Sequence, residues 1–161
     1  MIGLDTNVLA RLVVRDDPRQ TEAAKRFLSR HCTPDSPGFI ASVVLAEFAW
    51  VLAVSYGYGR SDIAAAIEGL LIGGDRIVEH HDAVRASLED YKKGQADFVD
   101  ALIARVNRAY GCEVTATFDR KAGWFCSGRI IAGLAIYGVG GMRLGRPVQR
   151  PAALSFTLRP I

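Results

Sequence analysis

The sequence has few cysteines and no long hydrophobic run. Its 161 residues include only three cysteines, Cys32, Cys112 and Cys126, which lie far apart and show no CxxC spacing. This pattern predicts neither a disulfide framework nor a zinc knuckle, and it fits a reducing, cytoplasmic setting. The longest apolar stretch is interrupted at Glu47, so we expect no membrane span. Met1 leads into the sequence without a basic segment or an apolar segment of the kind found in signal peptides, so none is expected.

Acidic residues are missing from the last quarter of the chain. The net charge is +3. From Arg120 to Ile161 there are seven basic residues and no acid, whereas the preceding part has more acids than bases. A basic tail on an acidic body favours a polyanionic partner such as nucleic acid, although such tails are also common as soluble chain ends.

The remaining composition is that of one globular domain, since half of the residues are apolar and 23% are charged. Short apolar runs alternate with segments of helical periodicity. This alternation predicts an α/β fold, with a mainly parallel central sheet flanked by helices. Strands are predicted near residues 2–4, 39–41, 77–79 and 114–118, and helices near 8–14, 18–30, 43–56, 61–72, 82–93 and 96–110.

Two acids follow predicted strands directly. Asp5 comes after the first strand and Asp119 after the last one. In open α/β sheets, ligands bind at the carboxyl ends of the strands, so the two carboxylates are candidates for one site. The alternatives are local: Asp5 as a helix N-cap and Asp119 as a turn former.

Glu47 is the only ionisable residue in a helical segment that is apolar nearly all round, between Val43 and Val54. Such a segment is typical of a buried helix, and a buried carboxylate must be neutralised, paired or bound to a cation. A buried ion pair with a distant arginine, or a position at a solvent edge, would also account for Glu47.

Asp97 and Asp100 lie three residues apart on one predicted helix. Asp100 borders the apolar stripe of that helix, so we expect it to be partly buried, with Asp97 beside it. Asp97 also fits a simpler role as a first-turn acid favoured by the helix dipole. Several carboxylates at one point require a cation, and Mg²⁺ or Mn²⁺ suits oxygen ligands. The three histidines have no spacing that supports zinc.

Four segments together resemble the PIN domain family. In the order in which the family has them, they are Ile2–Arg11, Val43–Glu47, Ala96–Ala104 and Thr115–Lys121. The resemblance covers residues 1 to about 122 and implies a PIN-like α/β/α sandwich. It also implies an acidic quartet of Asp5, Glu47, Asp100 and Asp119 that is both catalytic and metal-binding.

The length and organisation further resemble VapC-type toxins of toxin–antitoxin systems. This resemblance implies an Mg²⁺-dependent endoribonuclease that forms a homodimer and is restrained by a small antitoxin. Thr6 and Thr117 match supporting positions, and Asp97 is an additional supporting acid; which of Asp97 and Asp100 is the inner ligand stays open.

Three basic residues near the acids, Arg11, Arg120 and Lys121, are candidates for phosphate contacts, and each is also compatible with a solvated surface charge. Hydrolysis of an RNA phosphodiester can use either one or two metal ions, and the sequence leaves this number open.

The resemblance ends after Lys121. We therefore predict a PIN-like domain over residues 1–122 and an atypical segment with arginine and glycine over 123–161, for which a genuine extension, a final strand plus an extended tail, and the product of an altered reading frame all stay open. Two other functions remain open. One is a non-catalytic nucleic-acid-binding module, and the other is a magnesium phosphohydrolase acting on a small substrate. The segment Asp5-Thr6-Asn7 lacks the second acid of a DxD phosphatase motif, which counts against the phosphohydrolase.

Overall fold

The computed structural model of the protein describes residues 1–94 and 96–119, and beyond them only the strands at 129–131 and 134–137. The strands are β1 (Ile2–Gly3), β2 (Gly38–Ile40), β3 (Arg76–Val78), β4 (Thr115–Thr117), β5 (Arg129–Ile131) and β6 (Leu134–Tyr137). The helices are α1 (Thr6–Val14), α2 (Pro18–His31), α3 (Ser42–Val54), α4 (Arg60–Leu71), α5 (His81–Lys93) and α6 (Phe98–Ala109). The predicted α/β/α sandwich is confirmed, and the predicted helices and strands occur with small shifts at their ends.

The central sheet is parallel and has the order β1-β2-β3. Gly38 pairs with Ile2 on one side and with Arg76 on the other. A Cβ atom at Gly38 would lie 2.9 Å from Cδ1 of Leu4 and 3.1 Å from Sγ of Cys32. Glycine at this position therefore allows the first strand segment and the end of α2 to pack closely against β2.

The fourth predicted strand, β4, is present but belongs to a second sheet. It pairs with β6 in antiparallel orientation, and β6 also pairs with β5, which gives the order β4-β6-β5. Strands β5 and β6 lie in the segment 123–161, and the rest of that segment is outside the described residues. The boundary at residue 122 remains a prediction.

The hydrophobic core lies between the central sheet and the helices. Its fully buried side chains include Leu9, Ile40, Leu45, Phe48, Leu52, Ile67 and Val84. They come from α1, β2, α3, α4 and α5, so one continuous core joins these elements. Among the described residues, Cys32 is a buried free thiol and Cys112 an exposed one. None of the described helices is long and apolar enough to cross a membrane.

Candidate active site

The carboxyl ends of the three parallel strands lie at one edge of the central sheet. Asp5 follows β1, helix α3 begins shortly after β2, and Glu79 follows β3 directly. The backbone links the strand ends laterally, since Leu4 N donates to Phe39 O at 2.8 Å and Glu79 N donates to Ile40 O at 2.9 Å. This edge is where ligands bind in open α/β sheets.

Asp5 occupies the N-cap position of α1 in an extended conformation, but its side chain makes no capping hydrogen bond. Its Oδ2 atom accepts a 3.4 Å hydrogen bond from Nδ2 of Asn7, and the side chain is exposed. Asp5 therefore occupies the N-cap position that the sequence suggests, but its side chain does not make the hydrogen bond of an N-cap. The carboxylate is directed to the solvent at the sheet edge rather than to the helix N-terminus.

Thr6 connects the first acidic segment to the second one. Its side chain is buried, and its hydroxyl donates a 2.6 Å hydrogen bond to Oε2 of Glu47, 41 residues further along the chain. Because burial removes water from the Thr6 hydroxyl, Glu47 is the acceptor that satisfies it. Glu47 is consequently held against the start of α1, where Thr6 directly follows Asp5 in the sequence.

The expectation of a buried carboxylate at Glu47 is wrong, because Glu47 is exposed, which is the solvent-edge alternative. Helix α3 packs only one face into the core, with Leu45, Phe48, Ala49 and Leu52. Its opposite face carries Glu47 among apolar side chains that are exposed by 58–73%, namely Val43, Trp50 and Val54. Apolar composition around the whole helix therefore reflects a core face and an exposed apolar stripe, which hydropathy cannot distinguish.

The other acids of the predicted site form a second group around the start of α6. Asp100 is half-buried and Asp97 is exposed, as the helical pattern predicts. Burial, the nearby carboxylate of Asp97 and the carboxylate of Asp119 together raise the pKa of Asp100 from 3.8 to about 6. Since Asp119 comes from the segment after β4, two separate elements contribute negative charge to this group.

Local hydrogen bonds shape both ends of this second group. Asp97 is the N-cap of α6, and its Oδ1 atom accepts a 2.8 Å hydrogen bond from Asp100 N. The backbone N–H of Asp119 donates to Oγ1 of Thr117 at 3.0 Å. Asp97 is thus the N-cap of α6 rather than the first-turn acid that the sequence suggests, and capping does not exclude a second role, because a carboxylate has several acceptor sites.

Glu79 is a further acid at this edge of the sheet, and the sequence interpretation missed it. The N-cap of α3 is Ala41, which has no side chain to cap the helix. Oε2 of Glu79 instead accepts a 2.7 Å hydrogen bond from Ser42 N, and this bond to the backbone is the main reason that the pKa of Glu79 is lowered. The signal was available, because Glu79 ends the third predicted strand, and Asp5 and Asp119 directly follow the first and the last ones.

Of the three predicted phosphate-binding residues, Arg11 lies in the part of the chain that the structure describes. Arg11 donates a 2.7 Å hydrogen bond to Oε1 of Gln20 and forms an ion pair with Asp16, and the bond to Asp16 is the main cause of its raised pKa. In this structure Arg11 thus connects α1 to the start of α2. Arg120 and Lys121 lie outside the described residues.

The donor chemistry of the acids suits a hard divalent cation, since every candidate ligand is a carboxylate. The raised pKa of Asp100 also fits, because a cation would relieve the repulsion among the carboxylates around it. Among the described residues, however, no three or more Asp, Glu, His or Cys side chains are grouped closely enough to hold a metal ion. By their contacts the acids form two groups: Glu47, hydrogen-bonded to the Thr6 side chain that directly follows Asp5, and Asp97 with Asp100 and Asp119. Magnesium usually takes only one or two carboxylates and completes its shell with water and substrate phosphate, so either group has a suitable donor set.

Comparison with known proteins assigns the family. No curated protein and no solved structure matches the sequence. The PIN domain family matches residues 2–125, about three quarters of the chain, and this span includes all the acids described above. PIN domains are generally nucleases, they bind nucleic acid, and they typically use divalent metals. The protein belongs to the PIN domain family.

Proposed function

We propose that the protein is an Mg²⁺-dependent endoribonuclease that hydrolyses RNA phosphodiester bonds, with Mn²⁺ as an alternative ion. The observation that carries the proposal is the match to the PIN domain family over residues 2–125, together with a half-buried Asp100 beside Asp97 at the start of α6. Carboxylates that raise one another's pKa in a partly buried place are typical of functional sites. RNA as the substrate rests on the resemblance to VapC-type toxins.

In this proposal carboxylates drawn from Asp5, Glu47, Asp100 and Asp119 would hold one or two metal ions together with water and substrate phosphate, and a bound metal activates water and stabilises negative charge on the reacting phosphate. Thr6 fixes the carboxylate of Glu47 through its hydrogen bond. Asp97 caps α6 through Asp100 N and so orients the first turn that carries Asp100. Thr117 holds the backbone of Asp119. Arg120 and Lys121, adjacent to Asp119 in the sequence, contact the RNA backbone.

A role as a toxin restrained by a small antitoxin, in a cytoplasmic homodimer, completes the proposal. The exposed apolar stripe on α3, formed by Val43, Trp50 and Val54, supports a protein partner. Exposed apolar side chains that share one helix face, here with Glu47 among them, are typical of interaction surfaces. Phe48, on the same helix, is fully buried and belongs to the core instead.

A cleavage assay tests the nuclease function. Structured RNA and a small phosphate ester are incubated with the protein in Mg²⁺ or EDTA, and products are mapped at nucleotide resolution. We expect Mg²⁺-dependent internal cuts in RNA that are lost in Asp5→Asn, Glu47→Gln and Asp100→Asn. Matched controls are Asp62→Asn, an exposed acid in the first turn of α4, and Glu68→Gln, an exposed acid that pairs with Lys92.

The outcomes separate the candidate functions. RNA binding without cleavage would contradict the nuclease and favour a binding module. Turnover of the ester alone would favour a phosphohydrolase. Loss of activity in Asp62→Asn as well would show that the effect of the site variants is not specific. Circular dichroism of each variant confirms that folding survives.

A further inference from the structure

Arg60, at the start of α4, contacts two carbonyl groups that lie 31 and 36 residues away. Its Nε donates a 2.8 Å hydrogen bond to the carbonyl of Tyr91, and its guanidinium also donates to the carbonyl of Ala96. Both bonds are partly buried. A planar guanidinium offers several donors in fixed directions, so one arginine can serve both acceptors, whereas a lysine ammonium is a single point donor.

The same guanidinium also stacks on the ring of Tyr91, with its Cζ atom 3.9 Å from the ring centroid. The Tyr91 ring in turn packs edge-to-face on Phe98, the first residue of α6, at 6.1 Å between centroids. Both rings are buried. Arg60, Tyr91 and Phe98 therefore form one packed unit, which we call the α6 anchor.

The α6 anchor lies directly next to the acids of α6. The carbonyl of Ala96 precedes Asp97, and Phe98 follows it, so both neighbours of Asp97 are held by the anchor. Asp97 is also close enough to Tyr91 to raise the pKa of its hydroxyl, although burial is the larger cause. Asp97 then accepts the hydrogen bond from Asp100 N. A chain of contacts thus leads from Arg60 to the backbone of Asp100.

The energetics favour arginine at this place. The carbonyl of Tyr91 is among the last four of α5, which have no partner within their own helix, and a cation near a helix C-terminus is stabilising. Arg60 therefore satisfies one carbonyl of α5 and one of the connection to α6 at the same time. Removing it would leave both acceptors without this donor in a partly buried place, which favours a shift of the connection.

We propose that Arg60 is a positioning residue for Asp97 and Asp100. It sets the position of the first turn of α6 and therefore of the carboxylates in the second acidic group. The inference depends on the proposed function only in treating these carboxylates as part of a metal site. The geometric part, that Arg60 holds the first turn of α6, stands independently.

Two measurements on Arg60→Met and Arg60→Lys test the inference. The first is amide hydrogen exchange of the metal-free protein, read at Asp100 and at residues in α1 and α3. We expect exchange at Asp100 to rise roughly tenfold in Arg60→Met, with little change in α1 and α3. The second is Mn²⁺ binding by calorimetry, where we expect the dissociation constant to rise roughly tenfold. Arg60→Lys retains the charge over the ring, so it should recover part of both effects.

Arg76→Met is the control, because Arg76 is also a partly buried arginine, and its Nε donates to the neighbouring Asp75 at 3.1 Å. It should leave Mn²⁺ affinity and exchange at Asp100 unchanged. Unchanged exchange at Asp100 in Arg60→Met would overturn the positioning role, and so would an equal rise in exchange in α1, α3 and α6. If Arg60→Met does not fold, unchanged exchange at Asp100 in Arg60→Lys would overturn it. Wild-type protein that binds no Mn²⁺ would overturn the proposed function instead, and the exchange experiment would still decide the role of Arg60.

Discussion

The hydroxyl of Thr6 donates a 2.6 Å hydrogen bond to Oε2 of Glu47, which joins two acidic segments 41 residues apart. Thr6 is 4% exposed, whereas Glu47 is exposed. The buried partner is therefore the fixed one, and the carboxylate takes its orientation from it. A substitution at Thr6 therefore tests directly whether this hydrogen bond orients the carboxylate of Glu47.

Thr6→Val removes the hydroxyl and keeps the shape of the side chain. We expect RNA cleavage to fall roughly tenfold, because Glu47 loses its fixed donor. The free energy of unfolding should change by only about 1 kcal/mol, because water can replace the donor at the exposed carboxylate. Cleavage rates and urea denaturation measure the two effects. Thr6→Ser retains the hydroxyl and is the control; full activity in Thr6→Val would contradict the prediction.

Asp100→Asn should stabilise the metal-free protein at pH 7. The pKa of Asp100 is raised to about 6, so the native state keeps a proton that the unfolded state loses above about pH 4. The stability that the folded protein gains by keeping Asp100 protonated is complete below pH 4 and is lost as the pH rises through 6. Allowing for solvent screening, the gain from Asp100→Asn at pH 7 should be about 2 kcal/mol.

Urea denaturation in EDTA at pH 4.5 and pH 7 measures this effect as the difference between the variant and the wild type. The difference is needed because the lowered pKa values of Asp75 and Glu79 give a pH dependence of the opposite sign. Asp82→Asn, at an exposed first-turn acid of α5, should give no comparable gain. A gain of equal size at both pH values would refute the role assigned to the raised pKa.

Glu79→Ala should destabilise the protein by about 1 kcal/mol, because it removes the carboxylate that accepts from Ser42 N at the start of α3. Among the described residues, no other side chain caps this helix. Glu79→Gln retains an acceptor and should cost less. Because the pKa of Glu79 is lowered, its stabilising effect is present at neutral pH and is lost as the pH falls through that lowered value. Denaturation at pH 7 ranks the two variants, and equal losses in both would argue against a capping role.

Trp50→Lys should weaken self-association without unfolding the protein. Trp50 is 58% exposed on the apolar stripe of α3, so the substitution leaves the core unchanged. If the stripe is the homodimer interface, the dissociation constant should rise at least about tenfold, as for a central aromatic of an interface. Sedimentation velocity over a range of concentrations measures it. Ile72→Lys, at an apolar residue 70% exposed just after α4, is the control. An unchanged dissociation constant would exclude the stripe as the interface, and monomeric wild-type protein would exclude the homodimer.

Local chemistry explains why the helices and strands were predictable. Pro18 begins α2 where it needs no N–H, and Oδ1 of Asp17 caps that helix by accepting from Arg19 N and Gln20 N. These contacts span two or three residues, so they can be read directly from the sequence. The order of the four acidic segments was equally readable, and it led to the family that the comparison then identified.

Contacts between distant segments were not predictable in the same way. The exposure of Glu47 depends on which face of α3 packs against the core, and a helix that is apolar on nearly all sides gives no preference. The hydrogen bond by which Glu79 caps α3 joins residues that are 37 positions apart, and the two hydrogen bonds of Arg60 join residues that are 31 and 36 positions apart. No local pattern contains such pairs.

The sequence by itself therefore determined the α/β class, the family and the order of the acidic segments, because periodicity, capping and short motifs depend on neighbours along the chain. The tertiary structure decided which carboxylates interact, with Glu47 held by Thr6 and Asp100 close to Asp119. The physical reason is that burial and charge coupling depend on distance in space, and only the packing of helices on the sheet sets that distance.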